Sequence, residues 1–180
     1  MKRLIFKTSF FAILLAIILF LINTISLKTI LKNANFNVDK KTKILILGHS
    51  HAAYAYNDSI IKNAVNLAEG GESYFYTFQK TKEIIADNPQ IKTILIEFSN
   101  DNLDTSMNSW VYNEPYMSNR YPKYAPFMNM NDNLILILNN PASYTNSYLL
   151  SYQYNLKKNL EKRYNFAPII GGYTHSEKKS

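Results

Sequence analysis

Apolar positions fall into one long unbroken block, several short blocks and a remainder of mixed character. The long block covers residues 8–27, which carry no charge, and its densest part, residues 10–22 (FFAILLAIILFLI), has no polar side chain. Twenty helical residues rise about 30 Å, the thickness of one bilayer core. A helix inside a soluble domain seldom shows an apolar run on all its faces, so a buried soluble helix is the weaker reading. A cleaved signal peptide needs a small-residue site after the block, and Asn23-Thr24-Ile25-Ser26-Leu27-Lys28 supplies a poor one. The expectation is an uncleaved signal anchor over residues 8–27, embedded in a lipid bilayer.

The short blocks have a different grammar. Lys43-Ile44-Leu45-Ile46-Leu47 is a compact apolar run ended by Gly48, as in a strand buried on both faces. Ala64-Val65-Asn66-Leu67-Ala68 is a weaker strand pattern followed by Gly70-Gly71, and Thr93-Ile94-Leu95-Ile96-Glu97-Phe98 is a third run. Between the last two, residues 73–88 place Phe75, Phe78, Ile84 and Ile85 at roughly helical spacing, with Ser73 at the start and Pro89 as terminator. Strands separated by helical stretches predict βαβ units and a mostly parallel sheet with helices on both faces. Residues 99–131 have no clear period and read as a long substrate-facing loop or lid. Residues 133–138 are ambiguous. A helix is expected over about 143–164, with Leu149, Leu150, Tyr152, Leu156 and Leu160 as its apolar residues, and residues 173–180 read as a disordered tail.

Charge sharpens this division. The chain has 180 residues and a formal charge of +7, from 20 Lys+Arg against 13 Asp+Glu. Residues 1–43 carry eight of the basic side chains and only Asp39 as an acid, so the later residues balance. A basic protein of this kind invites a nucleic-acid reading, but here the excess brackets an apolar helix, and no nucleic-acid partner is expected. The positive-inside count is nearly tied, with Lys2, Arg3 and Lys7 before the block and Lys28, Lys32, Lys40 and Lys41 after it. The short N-terminal tail favours a single-pass protein with its body outside the cytoplasm, periplasmic or at the cell surface. Residues 28–42 read as a basic stalk and residues 43–172 as the body. The absence of cysteine excludes disulfides, thiol nucleophiles and Cys-ligated metal sites.

In an open parallel sheet, ligands gather at the carboxyl ends of the strands. The first strand ends in Gly48-His49-Ser50-His51, with a serine placed as an exposed nucleophile at a tight turn. The second leads into Asn66-Leu67-Ala68-Glu69-Gly70-Gly71, whose glycine amides suit a developing oxyanion. The third ends in Phe98-Ser99-Asn100-Asp101, where Asn100 could donate to the same oxygen. Each motif alone is an ordinary turn or cap sequence; their order along successive strands is the stronger signal.

This order resembles the SGNH (GDSL-like) hydrolase superfamily over about residues 43–104. The usual opening Gly-Asp-Ser matches Gly48-His49-Ser50, the second block matches Asn66, Ala68 and Gly71, and the usual Gly-Thr-Asn-Asp matches Phe98-Ser99-Asn100-Asp101. The resemblance implies an α/β fold of the three-layer, flavodoxin-like kind, and esterase, lipase or carbohydrate O-acyl-modifying activity. It makes Ser50 the nucleophile, with the Ser50 and Gly71 amides and the Asn100 side chain as the oxyanion hole. His49, His51, Asn66 and Asp101 are then the expected substrate-binding residues. Two replacements depart from the pattern, His49 for Asp and Phe98 for Gly. The family's late Asp-x-x-His base is also missing: His175 is the only late histidine, and Gly172 stands at the Asp position.

A serine hydroxyl without a base is a weak nucleophile. The chain therefore reads as the N-terminal portion of an SGNH-like domain, truncated or degenerated, with impaired esterase or acyltransferase chemistry on an acylated glycan or small ester. The alternatives are a non-catalytic remnant or binding module on the same framework, and a bitopic protein supporting a membrane complex. His51 is a weaker candidate for a local base, because side chains two apart at a strand end tend to diverge. A metal shared by His49 and His51 with Asp101 or Asp104 has little sequence support, so no metal and no cofactor is expected.

Overall fold

The computed structural model describes residues 1–100 and 104–175. Asp101 and the last five residues of the expected disordered tail lie outside the described residues. The apolar block forms the first part of α1 (Lys2–Asn33). Residues 8–22 are exposed, and α1 is the one helix among the described residues long and apolar enough to cross a membrane.

After α1 comes a small α/β body: β1 (Ile44–Leu47), α2 (Ser50–Ala55), β2 (Ala64–Asn66), α3 (Tyr74–Asp87) and β3 (Thr93–Ile96). The three strands form a parallel sheet in the order β2-β1-β3, with Leu45 opposite Val65 on one side and Ile94 on the other. The βαβ expectation is met because each crossover carries a helix. Central β1 is buried at Leu45, Ile46 and Leu47. Leu45 and Leu47 join the main core with Tyr76 and Ile84 of α3, while Ile46 faces a smaller cluster with Ala52 and Ala53 of α2. Strand β3 differs: all four of its residues are exposed, so this edge of the sheet is bare on both faces.

The expected long loop over 99–131 is mostly helical. After a 3-10 turn at Thr105–Met107 come α4 (Asn108–Tyr112), α5 (Tyr116–Tyr124), α6 (Met130–Asn139) and α7 (Pro141–Glu161). Helix α6 is set by a capping box in which Asn129 and Asp132 exchange side-chain and backbone bonds. Helix α7 starts at Pro141 behind Asn140, whose side chain accepts from the Ser143 amide. The buried residues of α5, Met117, Arg120, Tyr121 and Tyr124, fall at helical spacing with Pro122 beside them, but they mix polar and aromatic side chains and so do not read as an apolar stripe.

Two further expectations change. The buried stripe of α7 is Ser143, Ser147, Ser151, Asn155 and Lys158, while Leu149, Leu150 and Leu160 are exposed. The four-residue spacing of small side chains lets α7 approach α5 and α1 closely. Residues 28–42 form no free stalk. Helix α1 continues through them to Asn33, and Ile30 and Phe36 are core residues. Phe36, Phe127 and Phe166 pack against one another, and the Phe36 backbone N–H donates to the Asp87 carboxylate at 2.8 Å. The base of α1 is thereby built into the body, with Asn159 donating to the Ser26 hydroxyl at 2.6 Å.

Candidate functional site

Strand β1 delivers Gly48 with φ +144°, a backbone region that disfavours side chains. The opening lets the chain turn sharply into α2 and lets Glu97 lie over residue 48. Glu97 is anchored by the backbone: its Oε2 accepts from the His49 and Ala52 amides, both at 3.0 Å. Its Oε1 stands 3.0 Å from His49 Nε2 and 3.0 Å from His51 Nδ1. Neither ring N–H is aligned on that oxygen, so the buried Oε1 has no hydrogen-bond donor among the described residues.

Ser50 is the first residue of α2, half-exposed, and its Oγ lies 3.4 Å from His49 Nδ1. Ser50, His49 and Glu97 thus stand in series, with the two nitrogens of one imidazole 3.4 Å from a hydroxyl and 3.0 Å from a carboxylate oxygen. His49 is buried, and Trp110 meets it edge-on at 5.8 Å. Trp110 stacks in turn on Tyr116 at 5.3 Å. These two aromatics wall the site, whereas Tyr121 and Tyr124 of the same segment belong to the core. A cleft of about 300 Å³ opens beside Gly48 and His49, lined also by Ser73, Tyr74, Met107 and Val111.

The glycine loop sits next to the serine. A Cβ on Gly70 would lie 3.9 Å from the Ser50 Cβ, while Gly71, with φ +70°, faces Tyr116 and Arg120. The loop is fastened from α5: Arg120 Nη2 donates to the Gly70 carbonyl, and Lys123 pairs with Glu69 at 2.7 Å. Beneath it lies a fully buried ion pair, Lys80 Nζ to Glu72 Oε2 at 2.5 Å. Lys80 also donates to the carbonyls of Leu67, at 2.7 Å, and Ile170, and Tyr124 donates to Glu72 at 2.8 Å. Burial raises the Glu72 pKa above the usual carboxylate range and lowers that of Lys80 below the usual ammonium range, each partly offset by the other's charge.

Of the residues singled out from the sequence, Ser50, His49 and His51 meet in one cluster, with Gly70-Gly71 adjoining it. Asn66 is buried, and its side chain is bonded to backbone groups. Its amide donates to the Ala52 and Tyr56 carbonyls at 2.9 and 2.8 Å, and its Oδ1 accepts from Ala68, so it fastens the end of α2. Asn100 is exposed, and no hydrogen bond joins it to Ser50 or the glycine loop among the described residues. Asp101 lies outside them. His175 packs against Tyr173, near which Thr174 donates to the Ala53 carbonyl at 2.9 Å. Sequence reading missed Glu97, although its signal was present: a lone carboxylate at the carboxyl end of an apolar strand. Arg120 and Lys123, fifty residues from the loop they hold, carried no local signal.

Comparison with protein-family models, curated proteins and solved structures finds no match for this chain.

Proposed function

We propose that this protein is a membrane-anchored serine esterase or O-acyltransferase of SGNH-like type, acting outside the cytoplasm on an acylated glycan or small ester. The observation that carries the reading is the series Ser50 Oγ, His49, Glu97, with separations of 3.4 and 3.0 Å. It offers Ser50 a local base from the neighbouring residue. His49 Nδ1 takes the Ser50 proton as Oγ attacks the ester carbonyl, and the Glu97 carboxylate beside Nε2 stabilises the imidazolium that forms. The imidazolium then gives its proton to the departing alkoxide, leaving an acyl-serine. Water or an acceptor hydroxyl next attacks the acyl carbon, His49 again taking the proton. The 3.4 Å gap shortens when substrate orders the serine rotamer, as catalytic hydrogen bonds commonly tighten on binding. The amides of Ser50 and Gly71 are the oxyanion donors in this reading, held in place by Arg120 on Gly70.

The strand order β2-β1-β3 also supports it, because a flavodoxin-like sheet runs 2-1-3-4-5. Anchoring rests on α1. Leu149, Tyr148 and Tyr152 of α7 flank Leu19, Phe20 and Asn23 where the apolar block meets the body, a place for apolar and tyrosine side chains at a membrane surface.

The test is covalent labelling of the full chain in detergent micelles with a fluorophosphonate. The expected result is one adduct on Ser50, absent in Ser50→Ala and slowed by about 10²-fold or more in His49→Ala. Folded protein that takes no label at Ser50 removes the catalytic reading and leaves a non-catalytic binding module.

A further inference from the structure

Glu97, His49 and His51 converge in a way the serine chemistry does not use. His51 is 75% exposed in its side chain and takes no part in the series from Ser50. Yet its Nδ1 and the Nε2 of His49 each stand 3.0 Å from the same carboxylate oxygen, and all three ligand atoms lie within 4.8 Å of one another. If Oε1 served only as a hydrogen-bond acceptor, at least one ring N–H would point at it. None does, and Oε1 is buried without a donor among the described residues. Two imidazole nitrogens and one carboxylate oxygen gathered within 4.8 Å of one another are a donor set for a divalent transition metal.

The dimensions agree. Zinc binds imidazole nitrogen and carboxylate oxygen at about 2.0–2.2 Å, which sets tetrahedral ligand atoms about 3.4 Å apart. Reaching that value means opening the two 3.0 Å separations and setting the two nitrogens, which lie no more than 4.8 Å apart, at the same spacing by side-chain rotation. The carboxylate is held for the purpose, since its Oε2 is fixed by two backbone amides and cannot swing away. The exposed side of His51 leaves the fourth position open to water or an incoming ligand.

We propose that His49 Nε2, His51 Nδ1 and Glu97 Oε1 form a binding site for one divalent transition ion of the zinc class. The consequence for chemistry rests on the serine-hydrolase reading above: an ion on Nε2 leaves the proton of neutral His49 on Nδ1. That nitrogen then donates to Ser50 instead of accepting its proton, and the ion switches the nucleophile off. Ion binding itself does not depend on that reading.

The experiment uses the full chain in micelles, freed of affinity tag and stripped with chelator. Titration with Co²⁺ is expected to give one ion per chain with visible d–d bands of low-coordinate cobalt, displaced by Zn²⁺. His51→Ala removes an exposed side chain and so keeps the fold, checked by circular dichroism. It is expected to weaken binding by at least about 10-fold, as is Glu97→Gln, while His175→Ala binds as the parent does. Failure to bind Co²⁺, or binding that survives in His51→Ala, overturns the site. In parallel, Zn²⁺ is expected to slow Ser50 labelling of the parent relative to its own metal-free rate, with that ratio returning toward one in His51→Ala. Acceleration by Zn²⁺ overturns the switch. Absence of label with Co²⁺ still bound removes only the serine reading.

Discussion

Glu97 lies over Gly48 so closely that a Cβ on residue 48 would stand 2.5 Å from the Glu97 Cβ and 2.6 Å from its Oε2. The carboxylate that faces both histidines is therefore admitted by one missing methyl group, two strands' ends meeting where only glycine fits. Gly48→Ala must both hold a side chain at φ +144° and push Glu97 outward. The backbone term alone costs about 1–3 kcal/mol. Ser50 labelling is expected to fall with it, and Co²⁺ affinity likewise. A Gly48→Ala protein with parental labelling rate and melting temperature would show that Glu97 has another way to its place.

The Lys80–Glu72 pair predicts a pH signature. Removing one partner of a buried ion pair destabilises by about 3–5 kcal/mol. In Lys80→Met the Glu72 carboxyl keeps its desolvation without the ammonium, so its folded pKa lies further above 4.5 than in the parent. A carboxyl with a raised folded pKa binds more protons in the native state. Stability is then retained below pH 4.5 and lost as pH rises through that value toward the folded pKa. Urea melts of Lys80→Met from acid to neutral pH are expected to show the deficit relative to the parent growing with pH, and a flat difference would count against this account.

Arg120 tests the glycine loop. Its guanidinium satisfies the Gly70 carbonyl and lies 3.8 Å from Glu69. In Arg120→Met that part-buried carbonyl loses its donor, at about 1 kcal/mol for a hydrogen bond that water can partly replace. The loop beside Ser50 then loosens, so fluorophosphonate labelling is expected to drop more than the melting temperature alone explains. Equal labelling in both proteins at a temperature where both are folded would separate Arg120 from the site.

The bare edge of β3 predicts self-association. Ile94, Leu95, Ile96 and Phe98 are all exposed there, and Phe78 of α3 lies beside Ile96. An exposed apolar edge strand is a template for pairing. Ile96→Lys should change stability by no more than about 0.5 kcal/mol and shift the protein toward monomer in sedimentation velocity at matched detergent concentration. An unchanged distribution would mean that association, if any, uses another surface.

Local pattern was a good guide where one short stretch decides the outcome. The uncharged block at 8–27 makes a helix whatever surrounds it, and the runs ending at Leu47, Asn66 and Ile96 make strands because short stretches rich in β-branched and aliphatic residues favour a pleated, extended backbone. Ser50 after Gly48 and the pair Gly70-Gly71 were readable because strand ends and tight turns have local signatures. What pattern missed depends on distant partners. The helical period of Tyr116–Tyr124 was hidden because its buried face is polar and aromatic, satisfied by Glu72, Gly70 and Asn133 from other elements. The seryl stripe of α7 reads as a solvent face until α5 and α1 lie against it, leaving the leucines outside.

The chemistry divides in the same way. Residue order along the chain was enough to place a serine, two histidines and two glycines at the carboxyl edge of a parallel sheet, because each strand end is specified by its own few residues. It left Glu97 as one more strand residue. The pairing of β1 with β3 sets Ile96 beside Leu47, and that register carries Glu97 over Gly48 to His49 and His51. A carboxylate nearly fifty positions away enters the site through sheet geometry, which acts between residues and has no trace in the neighbours of either one.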